Sequence, residues 1–142
     1  MTQQLSVFIQ NEPGKIAAVT RALAAAGVDI RALSIADTAD FGVLRMLVSD
    51  IALAEKTLSE HRCIVSATCV TVVSVPDAPG GLASLLTLLD KEQVDIEYMY
   101  SLIGHDTGKA YMVLRAVDGD KLKATLTGNS IETVSAGELG LK

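Results

Sequence analysis

Asn11-Glu12-Pro13-Gly14-Lys15-Ile16-Ala17 and Asp77-Ala78-Pro79-Gly80-Gly81-Leu82-Ala83 are two versions of one phrase. Pro13 and Pro79 stand 66 residues apart. At that spacing Val7 meets Val73, Leu23 meets Leu89, and Val28-Asp29-Ile30 meets Val94-Asp95-Ile96. Further on, Asp40 meets Asp106, Gly42 meets Gly108 and Met46 meets Met112. Aliphatic exchanges continue the match, with Ile9 for Val75, Leu47 for Val113 and Ile51 for Val117. Read this way the halves align without a gap, so the chain is a tandem repeat, and a repeat decides the architecture before any single element does.

Each copy spells the same element order. Leu5–Ile9 and Thr71–Val75 alternate as strands do. After each Pro-Gly comes a helical stripe: Ile16, Val19 and Leu23, then Leu82, Leu85, Leu86 and Leu89. Gly27 stops the first helix. Second strands follow over about Ile30–Ala36 and Ile96–Leu102, and third strands over Gly42–Val48 and Gly108–Arg115. Asp50 and Asp118 are N-cap candidates for short helices carrying Leu53 and Leu58, then Leu122 and Leu126. Ile64–Thr68 and Ile131–Ser135 close the copies. The order β-α-β-β-α-β predicts an α+β chain of two ferredoxin-like units, each an antiparallel four-stranded sheet with two helices on one face. The units should lie side by side, with almost no linker, as domains over residues 1–69 and 70–142.

Composition narrows the function. Among 142 residues 49% are hydrophobic and 20% charged, so a buried core is expected. The net charge is −5 and aromatics are 4%, which speaks against a nucleic-acid partner, whose phosphates demand basic faces or stacking platforms. The most apolar stretch, Ile16–Ile30, is interrupted by Arg21 and Asp29 and does not read as a membrane span. The N-terminus lacks a basic segment followed by an apolar one, and two cysteines make no disulfide framework; a cytoplasmic protein with reduced thiols is expected.

Strand, Asn/Asp-x-Pro-Gly, aliphatic helix, and Val-Asp-Ile opening the next strand: this order resembles the ACT domain. The tandem form closely resembles small bacterial and archaeal proteins made of two ACT domains and nothing else. Arg31–Thr38 and Ile96–Tyr100 are similar to the second strands of that subgroup. The resemblance covers nearly the whole chain and implies a regulatory protein that binds amino acids or similar metabolites, with the loop after strand one facing the start of strand two in a neighbouring domain. Carried onto this sequence, the ligand-binding set is Asn11, Glu12, Pro13, Gly14, Lys15, Val28, Asp29 and Ile30. Its repeat is Asp77, Ala78, Pro79, Gly80, Gly81, Val94, Asp95 and Ile96, with Tyr98 added.

Physical chemistry makes such a site sensible. Helix N-termini present unpaired N–H groups and a partial positive charge to a carboxylate. Gly14 and Gly80 permit close approach to the backbone, and Asn11 and Asp77 offer oxygens to an ammonium group. The same residue types also serve as ordinary turn and capping residues, and that reading stays open here. Tyr98 and Tyr100 point to one face of their strand, either packing the sheet against the helices, forming a dimer surface, or selecting a ligand side chain. Asp37 and Asp40 read as a solvated hairpin tip.

No catalytic constellation is evident. His61 and His105 are far apart, His61-Arg62-Cys63 falls short of the four ligands of a structural zinc, and Cys63 and Cys69 are expected to be buried. Gly-x-Ser-x-Gly is missing, and Gly80-Gly81 lacks the Lys-Ser/Thr of a phosphate loop. The expectation is a non-enzyme without cofactor or metal, a homodimer whose ligand is an amino acid. The alternatives are a regulatory subunit partnered with an amino-acid biosynthetic enzyme, as in acetohydroxyacid synthase, and a scaffold with degenerate sites.

Overall fold

The computed structural model describes residues 2–10, 12–37, 41–103 and 107–142. Asn11, His105 and the centre of the Asp37–Phe41 loop lie outside them. The elements run β1 (Thr2–Gln10), α1 (Lys15–Ala25), β2 (Ile30–Asp37), β3 (Phe41–Val48), α2 (Ile51–Glu60) and β4 (Ile64–Pro76). They continue with α3 (Gly81–Lys91), β5 (Ile96–Ser101), β6 (Lys109–Ala116), α4 (Gly119–Gly128) and β7 (Thr133–Val134). Two compact units form, one from Gln3–Thr68 with Ala136–Lys142, the other centred on Cys69–Ser135. The strand β4 supplies both, changing unit between Thr68 and Cys69.

In the first unit the strand order is β2-β3-β1-β4. β3 pairs antiparallel with both β1 and β2. Leu5, Val7 and Ile9 face the helices, together with Leu44, Met46 and Val48, and meet Val19 and Leu23 of α1 and Ala54 and Leu58 of α2. The second unit repeats this, with β7 and β6 flanking β4 and β5 beyond β6. Its core joins Val73 and Val75 to Leu85, Leu89, Leu122 and Leu126. These are the ferredoxin-like units that the alternating strands and helical stripes predict. Two expected core residues depart: Ile16, in the first turn of α1, is 39% exposed, and Leu53 is 37% exposed, because the buried face of α2 runs through Ala54, Thr57 and Leu58.

The gapless alignment needs correcting. Leu5 pairs with Met46, and its counterpart Thr71 pairs with Leu114, so the third strands are 68 residues apart while the first strands are 66 apart. Gly42 therefore corresponds to Ala110 rather than Gly108, and Met46 to Leu114 rather than Met112; Leu47 and Ile51 lose the partners Val113 and Val117 in the same way. The second copy carries two extra residues between β5 and β6. A shift of two keeps every strand side chain on its own face, so hydrophobic alternation fits both alignments equally well. The caps Asp50 and Asp118, already 68 apart, held the signal.

All four helices end alike. After α1, the N–H of Gly27 bonds Ala24 O at 3.0 Å and that of Val28 bonds Leu23 O at 2.9 Å, a Schellman closure with Gly27 at φ 77°. The same pair of bonds ends α2, α3 and α4, with Arg62, Gln93 and Ser130 in the left-handed position at φ 61°, 58° and 56°. Glycine favours that conformation, and the other three residues hold it at a cost of about 1 kcal/mol each.

Residues 136–142, which follow the second copy in the chain, pack on the first unit. Leu139 is buried, and its carbonyl accepts from Arg31 Nε at 3.2 Å and Nη2 at 3.1 Å. The N–H of Lys142 donates to Ser49 O at 3.0 Å.

Candidate functional site

The two Pro-Gly turns open their helices in the same unusual way. Gly14 and Gly80 occupy the N-cap positions of α1 and α3 at φ 87° and 90°, and among the described residues neither helix has a side-chain cap. By contrast, Asp50 caps α2 by accepting from Leu53 N at 3.1 Å, and Asp118 caps α4 by accepting from Lys121 N at 3.1 Å. The capping alternative for Asp77 does not hold: its carboxylate makes no hydrogen bond within the described residues, and only its N–H is engaged, to Gly108 O at 3.0 Å. Glu12, Pro13, Gly14 and Lys15 are exposed, as are Asp77, Ala78, Pro79 and Gly80. Lys15 lies 3.9 Å from Glu12, and both side chains are about half exposed. Gly81 is tightly held, since a Cβ there would overlap the Pro76 carbonyl oxygen.

The strand starts have structural duties. Val28 and Val94 are buried, and their N–H groups close α1 and α3. Ile30 and Ile96 pack against the two cores. Asp29 is engaged at every polar group: its N–H reaches Ser49 Oγ at 2.9 Å, its carbonyl accepts from Ser49 N at 2.9 Å, and its carboxylate meets Arg31 Nη1 at 3.1 Å. The carbonyl of Asp95 accepts from Val117 N at 3.0 Å. Tyr98 and Tyr100 stack with centroids 6.5 Å apart. Met99 packs on the helical core, so the tyrosines face away from the helices, which corrects the expectation of packing against them. The cysteines also depart from expectation: Cys63 is half-buried and Cys69 exposed, the latter near the middle of the long strand β4.

Sequence reading missed a pocket of about 450 Å³ in the first unit. The end of β1 contributes Phe8, Ile9 and Gln10. Helix α1 adds Lys15, Ala18, Val19 and Ala22, and the turn from α2 to β4 adds Leu58, His61, Arg62, Cys63 and Ile64. Of the residues predicted for the ligand, Lys15 alone among the described ones lines it. The imidazole Nδ1 of His61 donates to Thr57 O at 2.8 Å. The turn residues carry no sequence pattern that points to a pocket, because the β1–α1 stretch meets the distant α2–β4 turn only once the sheet is built. Among the described residues no group of three or more His, Cys, Asp or Glu is placed to hold a metal ion, and no helix is long and apolar enough to cross a membrane.

A family model of the ACT domain pair matches residues 1–141. The chain belongs to the ACT domain pair family. A crystal structure of a protein from Bacteroides thetaiotaomicron is similar over 98% of this chain and 95% of that one, with 38% identity and a TM-score of 0.90. The regulatory subunit of aspartate kinase from Thermus thermophilus matches 90% of both chains at 15% identity, with a TM-score of 0.65, and so shares the fold of this ACT pair. A comparison with curated proteins gives no match.

Proposed function

We propose that this ACT pair is a non-catalytic regulatory protein that binds a small metabolite, an amino acid, at its Pro-Gly loops. The observation that carries this reading is the contrast between helix starts. Asp50 and Asp118 cap α2 and α4, whereas α1 and α3 begin at left-handed glycines without a side-chain cap. Such a start leaves first-turn N–H groups and the positive end of the helix dipole to a ligand carboxylate. Asp77, whose carboxylate has no partner within the described residues, is the acceptor for a ligand ammonium group.

A thermal-shift screen of the full chain against the twenty amino acids and several 2-oxo acids tests this. A ligand that binds only the native state adds about 2.7 kcal/mol at a hundredfold excess over Kd, so a true ligand gives a clear shift. Asp77→Ala should weaken the second loop's binding. A flat screen would overturn the amino-acid reading and turn attention to a regulatory subunit that needs its enzyme.

The proposal includes a homodimer in which loops of one chain meet strand starts of its partner, since closed two-fold pairs are the commonest assembly. Light scattering at micromolar concentration should give twice the 14.9 kDa chain mass, and a clean monomer contradicts it. Both cysteines are unpaired, in keeping with the cytoplasmic location we infer.

A further inference from the structure

The pocket of the first unit has a chemistry that the repeat does not share. Arg62 and Lys15 bring two positive charges to it. The guanidinium of Arg62 has no ion-pair or hydrogen-bond partner within the described residues. Within the described residues Lys15 has only Glu12, at 3.9 Å and solvent-screened. Ile9, Val19 and Leu58 give the cavity an apolar floor.

The second copy is an internal control. The matching helix closures set Ser130 at the place of Arg62 and Asn129 at that of His61. The 66-residue spacing of the first helices sets Gly81 at the place of Lys15 and Leu88 at that of Ala22. Ile131 replaces Cys63, and Glu132, bound to Lys109 Nζ at 3.3 Å, replaces Ile64. So both cations are gone, and the larger Leu88 and Ile131 stand where the first copy has Ala22 and Cys63. The fold does not require Arg62, because Ser130 makes the same turn at nearly the same φ. Closing the helix accounts for the φ of Arg62, as it does for Gln93 and Ser130, but does not call for a guanidinium beside a cavity.

We infer that the first unit holds a site for a small carboxylate with an aliphatic body, centred on Arg62 at the α2–β4 turn and reaching the start of α1 only through Lys15. Arg62 and Lys15 take the carboxylate, and the floor of Ile9, Val19 and Leu58 takes the hydrocarbon. The volume, about 450 Å³, lies in the range of small-molecule sites. The apolar floor favours this class over a bare inorganic anion.

Hexanoate is the probe for calorimetric titration of the full chain, with hexanamide as its uncharged analogue and inorganic phosphate as the anion without a body. Hexanoate should bind about tenfold or more tightly than either, because the charge-assisted hydrogen bonds and the apolar contacts are both needed. Arg62→Gly should weaken hexanoate by about tenfold or more. Glycine suits the left-handed turn, so this variant should melt no lower than the parent, which separates loss of binding from loss of fold. Ser130→Gly, at the matching turn of the second copy, should leave hexanoate affinity unchanged. The inference is overturned by equal affinity for hexanamide or phosphate, by unchanged binding in Arg62→Gly, or by no heat at millimolar hexanoate.

Discussion

Gly81→Ala should lower stability by about 3 kcal/mol, the upper end for forcing atoms into filled space, and the melting temperature by roughly 10 °C. The cause is backbone against backbone. A Cβ on Gly81 overlaps the carbonyl oxygen of Pro76, the last residue of β4, and no rotamer change relieves it. Either the strand end or the first turn of α3 must move, which distorts the loop Asp77–Gly80 that we propose for the ligand. Gly14→Ala is the control. Gly14 has the positive φ of 87° but open space around its missing Cβ, so alanine there carries only left-handed strain, about 1–2 kcal/mol. Urea denaturation of the two variants checks this ordering. Equal costs would mean that the close approach at Gly81 relaxes freely.

The second large effect is in the cores. Leu126 is fully buried beneath α4, among Val73, Leu85 and Leu122. Leu126→Ala should cost about 3 kcal/mol, the transfer energy of the lost methyl groups plus the cavity left behind. Its counterpart Leu58 is equally buried but also borders the open pocket. The space vacated in Leu58→Ala joins that pocket, where a neighbour or water reaches it, so the cost should fall near 2 kcal/mol, the low end for such truncations. Denaturant midpoints for both variants measure the difference. A larger loss at Leu58 would mean that the pocket wall is rigid and that Leu58 supports more than its own contacts.

Both effects trace to residues whose identity was legible in the chain but whose neighbours were not. The Pro-Gly phrase, the aliphatic stripes of α1 and α3, and the caps Asp50 and Asp118 could be read directly, because each is a local device: a turn, a helix face, a hydrogen bond three residues long. The two-residue insertion between β5 and β6 escaped, because strand periodicity is blind to a shift of two. Leu53 was misplaced because in a ten-residue helix two adjacent stripes differ by one position, and the sheet chooses between them.

For the candidate site the division is similar. Loop residues Glu12–Lys15 and Asp77–Gly81 were named from their phrase, yet the uncapped starts of α1 and α3 became visible only against capped α2 and α4. Val28, Asp29 and Val94 proved to hold the framework, through bonds to Leu23, Ser49 and Leu89. The pocket at Arg62 gathers consecutive β1 and α1 with the α2–β4 turn, which lies some fifty residues beyond β1.

Sequence by itself determined the repeat, the element order and the family-like loops, since these depend on spacing along the chain. Tertiary structure decided that Ala136–Lys142 returns to the first unit, where Arg31 grips the Leu139 carbonyl, and that Arg62 meets Lys15 at one cavity. Those outcomes depend on which surfaces become adjacent once strands pair and helices pack, and no local propensity encodes that adjacency.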